Sequence, residues 1–195
     1  MRGIAALWVV VYHFVSRPNG YWLKDPTLAA SITPWNINLE GLYAVHLFFI
    51  ISGFVIFMTI KRSSAVTDFA VSRFARLYPA FIVSVLFNAL IILVFPDPVQ
   101  KLTIWQVIVN LTMLQDFIAV PAVEPVYWSL SYEIGFYTLI AIVFASGMIR
   151  RIEIFGILWV TLSFVLLKLF PVLGEHIPWR LQTAVSIPYA SLFFA

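Results

Sequence analysis

Two residues near the start of the chain, Arg2 and His13, stand eleven positions apart. On an α-helix at about 100° per residue this is three turns plus about 20°, so both side chains share one face, with a rise of roughly 16 Å between them. In a membrane-spanning helix, Arg2 then sits at a boundary while His13 lies deep. There the imidazole either handles a proton or hydrogen-bonds between packed helices. Further on, Trp128-Ser129-Leu130-Ser131-Tyr132-Glu133 opens a run in which Ser129, Glu133 and Tyr137 fall at i, i+4 and i+8, a polar stripe on an otherwise apolar helix. A carboxylate buried alone takes up a proton. Beside His13, Glu133 would orient the imidazole and stabilise imidazolium, as the third member of a triad does. Beside an arginine it would instead lock two helices together.

Arg73 and Arg76, at i and i+3, present two planar forks to one surface. That geometry grips phosphates bidentately, lipid headgroups included, and basic residues at cytoplasmic helix ends also mark topology. Ser52 and Gly53 interrupt the apolar run Phe49-Ile50-Ile51-Ser52-Gly53-Phe54, where close helix packing is the favoured role. His46 reads the same way; Glu175-His176 is a solvated loop pair and Lys168 a snorkelling side chain. There is no cysteine, and the three histidines form no HxxxH pair. Thiolate chemistry is excluded and no metal site is expected.

The elements that must position these residues are membrane helices. Of 195 residues, 62% are hydrophobic and only 11% charged, and the mean hydropathy is +0.97, far outside the soluble average. The net charge of +3 is too small a surplus to suggest nucleic acid. The segment Met1 to Phe14 lacks a small-residue cleavage site and reads as a retained helix. Gly41 to Ile60 is the clearest span; Val66 to Leu77 suits an amphipathic helix at the interface before a span over Ala80 to Phe95. Leu102 to Val120 carries Gln106, Asn110, Gln115 and Asp116, which are costly against lipid. Ser129 to Ile149 and Ile154 to Phe170 are further spans, and a Pro-bounded loop from Pro171 to Pro188 leads into a last apolar run, Ala184 to Ala195. The fold class expected is all-α: a polytopic membrane protein with about six to seven transmembrane helices. No internal repeat is visible, and both terminal runs are short for a span, so the chain reads as one domain truncated at its C-terminus.

Cations cluster at Arg2, at Lys61, Arg62, Arg73 and Arg76, and at Arg150 and Arg151. The positive-inside rule places all three groups in the cytoplasm. That holds only if Leu102 to Val120 does not cross, so this segment is expected to fold on the outer side as a re-entrant or paired half-helix that shelters its amides, leaving Arg17 to Glu40 external.

Four stretches carry a resemblance. Arg2-Gly3-Ile4-Ala5-Ala6-Leu7 through Tyr12-His13, Leu47-Phe48-Phe49-Ile50-Ile51-Ser52-Gly53-Phe54, Arg73-Phe74-Ala75-Arg76-Leu77-Tyr78-Pro79, and Trp128-Ser129-Leu130-Ser131-Tyr132-Glu133-Ile134-Gly135-Phe136-Tyr137 resemble, in order, the signatures of the acyltransferase family 3 membrane proteins. The resemblance covers about residues 1 to 145, and beyond that only the hydropathy agrees. It implies transfer of an acyl group, commonly acetyl, from acyl-CoA to a hydroxyl of a carbohydrate or glycoconjugate in a bacterial inner membrane. On that implication His13 is the general base or brief acyl carrier, with Glu133 holding its tautomer. Arg2, Arg73 and Arg76 bind the donor's phosphates, and Trp128, Ser129, Tyr137 and Ser52 support the site. Acyl-CoA is a co-substrate, and no cofactor is bound permanently. Two other classes fit the same residues: a proton-coupled transporter, which needs intramembrane His and Glu, and a non-catalytic lipid-binding protein, which needs Arg73 and Arg76 for headgroups.

Overall fold

The computed structural model describes residues 2–12, 41–95, 101–173 and 179–194. Among them every regular element is helical: α1 (Arg2–Val11), α2 (Gly41–Ile60), α3 (Val66–Val94), α4 (Ile104–Asn110), α5 (Trp128–Ala145), α6 (Ile152–Leu173), α7 (Trp179–Ala184) and α8 (Ala190–Phe193). Among the described residues three segments are long and apolar enough to cross a membrane: Tyr43–Ile60, Val66–Val94 and Pro125–Ala145. This corrects the expectation of about six to seven. The last apolar run is not the start of a span either. It breaks at Ser186, whose φ of 51° is left-handed, into a 3₁₀ turn at Ile187–Tyr189 and the four-residue α8. The loop expected from Pro171 to Pro188 likewise contains the end of α6 and all of α7.

A second correction concerns α3, which the sequence divides at Pro79 into an interfacial helix and a span. The structure runs one helix of 29 residues straight through that proline. Pro79 removes one backbone donor, but its fixed φ is already helical. What holds the helix across it is a stripe at four-residue spacing: Phe69, Arg73, Phe81, Val85 and Ala89 are buried, with Leu77 packed against the core between them. Asp68 anchors the start, its Oδ2 accepting from Ser64 Oγ at 2.6 Å and from the Ala65 amide at 3.1 Å.

Residues 101–123 form no helix of spanning length. Thr103 Oγ1 caps α4 by accepting from the Gln106 amide at 3.1 Å. The chain then turns back through Met113 and Ala119, both at left-handed φ. Asn110, fully buried, closes the turn: its Nδ2 donates to Gln106 O at 2.8 Å and Pro121 O at 3.1 Å, and its Oδ1 accepts from the Val123 amide at 2.9 Å. The Gln106 and Asn110 amides, costly against lipid, are satisfied by their own loop, whereas Gln115 Oε1 is buried without a hydrogen-bond partner among the described residues.

Ring and hydrogen-bond partners give the helix directions. Phe49 of α2 meets Trp128 of α5 with centroids 6.5 Å apart, Ser52 meets Glu133, and Thr59 and Tyr137 both meet Arg73. α2 and α5 therefore run parallel. α3 runs against them, since Arg73 faces Tyr137 while Phe81 and Ser84 face Tyr127. Lys61 and Arg62, Arg73 and Arg76, and Arg150 and Arg151 thus belong to one end of the three-helix array, as the charge argument requires.

Helix contact in such an array depends on close approach rather than on apolar burial. A Cβ on Gly53 would fall 1.9 Å from the Phe193 carbonyl oxygen of α8, and one on Gly135 would fall 2.6 Å from that of Thr183 in α7. Gly53 is a packing glycine, as its place in the apolar run suggests. Around it Phe49, Ile56, Phe69, Phe136, Ile140 and Phe193 form the main core.

Candidate functional site

Glu133 sits at the α2–α5 contact. Its Oε1 accepts from Ser52 Oγ of α2 at 2.6 Å and from the Tyr137 hydroxyl one turn along α5. Ser52 is buried. It takes the packed position its place in the apolar run suggests, and its hydroxyl also bridges two helices. The polar stripe divides as well. Tyr137 joins Glu133, but Ser129 Oγ donates at 3.3 Å to Val126 O, three residues back. Among the described residues two hydroxyls, and no arginine, hold the carboxylate.

Arg73 approaches the same seam from α3. It is only 7% exposed, because position 73 lies on the buried four-residue stripe. Its Nη2 donates to Thr59 Oγ1 at 2.8 Å and to Ser72 Oγ at 3.2 Å. Its Cζ lies 5.9 Å from the ring centroids of both Phe69 and Tyr137. Nε and Nη1 are buried without a hydrogen-bond partner among the described residues. A desolvated guanidinium with two unpaired nitrogens, bearing three N–H groups, is costly, and it is chemically suited to an oxyanion. Arg76 is exposed. The two forks therefore do not share one surface: three residues carry Arg76 about 60° round the helix, off the stripe that buries Arg73.

The seam is thus ordered along α5. At the end away from the cations, Trp128 lies in an aromatic cluster with Phe49, Tyr132 at 5.9 Å and Tyr189 at 5.8 Å. His46 packs into it against Tyr43 at 6.1 Å and Tyr189 at 6.0 Å, the packing role expected of it. Burial, and secondly the neighbouring Tyr132, push the Tyr189 phenol above its ordinary value, so it stays protonated at neutral pH. Glu133 follows, then Tyr137 and Arg73. From Trp128 to Tyr137 the rise is about 14 Å.

Sequence reasoning missed Thr59, although it lies at i+7 from Ser52 and so on the same face of α2. It also missed the bond from Ser131 Oγ to Asp116 Oδ2 at 2.5 Å, which ties the loop after α4 to the start of α5. His13 lies outside the described residues. Arg2 begins α1, a helix whose buried Ala5 accompanies its packing on α2. Among the described residues no three His, Asp or Glu side chains gather as a metal site would require.

A family model described as an acyltransferase domain matches residues 1–195. Among curated proteins, Acyltransferase MdmB of Streptomyces mycarofaciens is 26% identical over 202 residues, covering 100% of this chain and 50% of the relative. The chain therefore spans about half the length of the curated relative it matches. No solved structure matches.

Proposed function

We propose, from the premise that this chain belongs to the acyltransferase 3 family, that it serves a membrane-bound O-acyltransferase. The enzyme moves an acyl group, commonly acetyl, from acyl-CoA to a hydroxyl of a carbohydrate or glycoconjugate. One observation carries the reading. In an otherwise apolar helix array, a carboxylate is held by two hydroxyls, and the ring of one of them, Tyr137, lies 5.9 Å from Cζ of a buried arginine with two unpaired nitrogens. The carboxylate end suits proton handling and the guanidinium end suits a phosphate-bearing donor.

In this mechanism a His13 ring nitrogen accepts the proton of the acceptor hydroxyl as its oxygen attacks the thioester carbonyl carbon. The C–O bond forms, the C–S bond breaks, and coenzyme A leaves as a thiolate that recovers the proton from the imidazolium. Glu133 holds the imidazole tautomer and offsets its charge. Arg2, Arg73 and Arg76 offer forks to the donor's pyrophosphate and 3′-phosphate. The cation-bearing end of the array faces the cytoplasm, where acyl-CoA is made, in a bacterial inner membrane. The aromatic end faces the acceptor.

The test is release of free coenzyme A thiol from acetyl-CoA by membranes carrying the protein. His13→Ala, well tolerated in a spanning helix, should lower the rate on the order of 10² to 10⁴ while insertion persists. A correctly inserted His13→Ala protein working at near the parental rate would reject His13 as base. Parental membranes that release no thiol would reject acyl transfer itself.

A further inference from the structure

Tyr137 touches both ends of the seam. Its hydroxyl donates to Glu133 Oε1, and its ring centroid lies 5.9 Å from Arg73 Cζ. The ring is buried and meets Phe69 edge-on at 6.4 Å, so it is clamped from a second side. Glu133 otherwise depends on Ser52, and Arg73 on Thr59, Ser72 and the Phe69 ring. Tyr137 is the side chain common to the two groups.

We propose that Tyr137 is a positioning residue that holds the Glu133 carboxylate at a set distance from the Arg73 guanidinium, and so fixes the spacing between the proton-handling and anion-holding ends of the site. The inference rests on the acyl-transfer reading. Its physical basis is rigidity. A phenol ring has no internal torsion between its face and its para oxygen, so a turn that moves the hydroxyl off the carboxylate also moves the face off the guanidinium. Each contact is of a kind that gains strength away from water: a charge-assisted hydrogen bond at one end and a cation over an aromatic face at the other. A transferring centre needs this spacing held, since misplacement by about 1 Å can cost on the order of 10²-fold in rate.

The two contacts can be removed separately, in membranes carrying the protein with acetyl-CoA as donor. Tyr137→Phe keeps the ring and deletes the hydroxyl: kcat should fall about tenfold while the donor KM stays within about twofold. Tyr137→Leu deletes the face as well, and the donor KM should then rise about threefold or more. Thr59→Val loosens Arg73 without touching Tyr137 and should also raise the donor KM. If Tyr137→Leu fails to insert, Tyr137→Phe and Thr59→Val decide the matter between them. A purely structural Tyr137 would change the amount of active protein and leave both kcat per inserted protein and the donor KM unmoved in the two Tyr137 variants. That result, or Tyr137→Phe at the parental kcat, overturns the proposal while acyl transfer stands. Parental membranes that release no thiol overturn both.

Discussion

Replacing Ser52 by alanine removes one oxygen from a place that solvent does not reach. Ser52 is 2% exposed, its neighbour Gly53 lies against the α8 backbone, and its hydroxyl donates to Glu133 Oε1 at 2.6 Å. Water is too crowded out to replace the lost donor. A hydrogen bond to a charged group contributes about 1.5 to 3 kcal/mol, which at about 1.4 kcal/mol per tenfold is about 10- to 150-fold in rate if the bond serves the transition state. Ser52 and Tyr137 donate to the same oxygen, so Tyr137 still holds the carboxylate in the variant. The loss expected is therefore at the low end, about tenfold in kcat. The assay is thiol release from acetyl-CoA in membranes, normalised to inserted protein. Glu133→Gln should cost more, and adding Ser52→Ala to it should cost little further, because the hydroxyl then has no charge left to position. Ser52→Ala at the parental kcat, or losses that multiply in full in the double variant, would refute the bridge from α2 to Glu133 as a functional contact.

Two further outcomes test the frame around the seam. Single cysteines at Arg62 and Arg150 of this cysteine-free chain should label from the same side of the membrane, and one at Asn19 from the other; labelling of 62 and 150 from opposite sides would refute the parallel pairing of α2 with α5. Gly53→Ala places a Cβ 1.9 Å from the Phe193 oxygen and should lower stability by about 1 to 3 kcal/mol, read as a drop in Tm in detergent. Gly3→Ala, which meets nothing within 4 Å, should leave Tm unchanged.

What was legible in the sequence is what a single helix shows by itself. The bounds of α2 and the start of α5 follow from apolar length, and the pairing of Glu133 with Tyr137 follows from i, i+4 spacing on one helix. Gly53 follows from what a missing side chain permits. Contacts between helices were not legible, because spacing along one helix says nothing about which residue of another lies opposite. Ser52 and Glu133 are 81 positions apart, and nothing local distinguishes a serine that packs from one that donates across an interface. Arg73 is a different kind of miss. The stripe Phe69, Arg73, Leu77, Phe81, Val85, Ala89 stands in the sequence with an unbroken period of four on both sides of Pro79. Its charge and the nearby Pro79, read locally, put Arg73 at the surface with Arg76. The period puts the one arginine on an apolar stripe inside, and a cation inside requires partners such as Thr59 and the rings of Phe69 and Tyr137. The physical reason the period prevails is that a stripe continued past a proline is packed on both sides of it, and that packing offsets the single backbone hydrogen bond the proline removes.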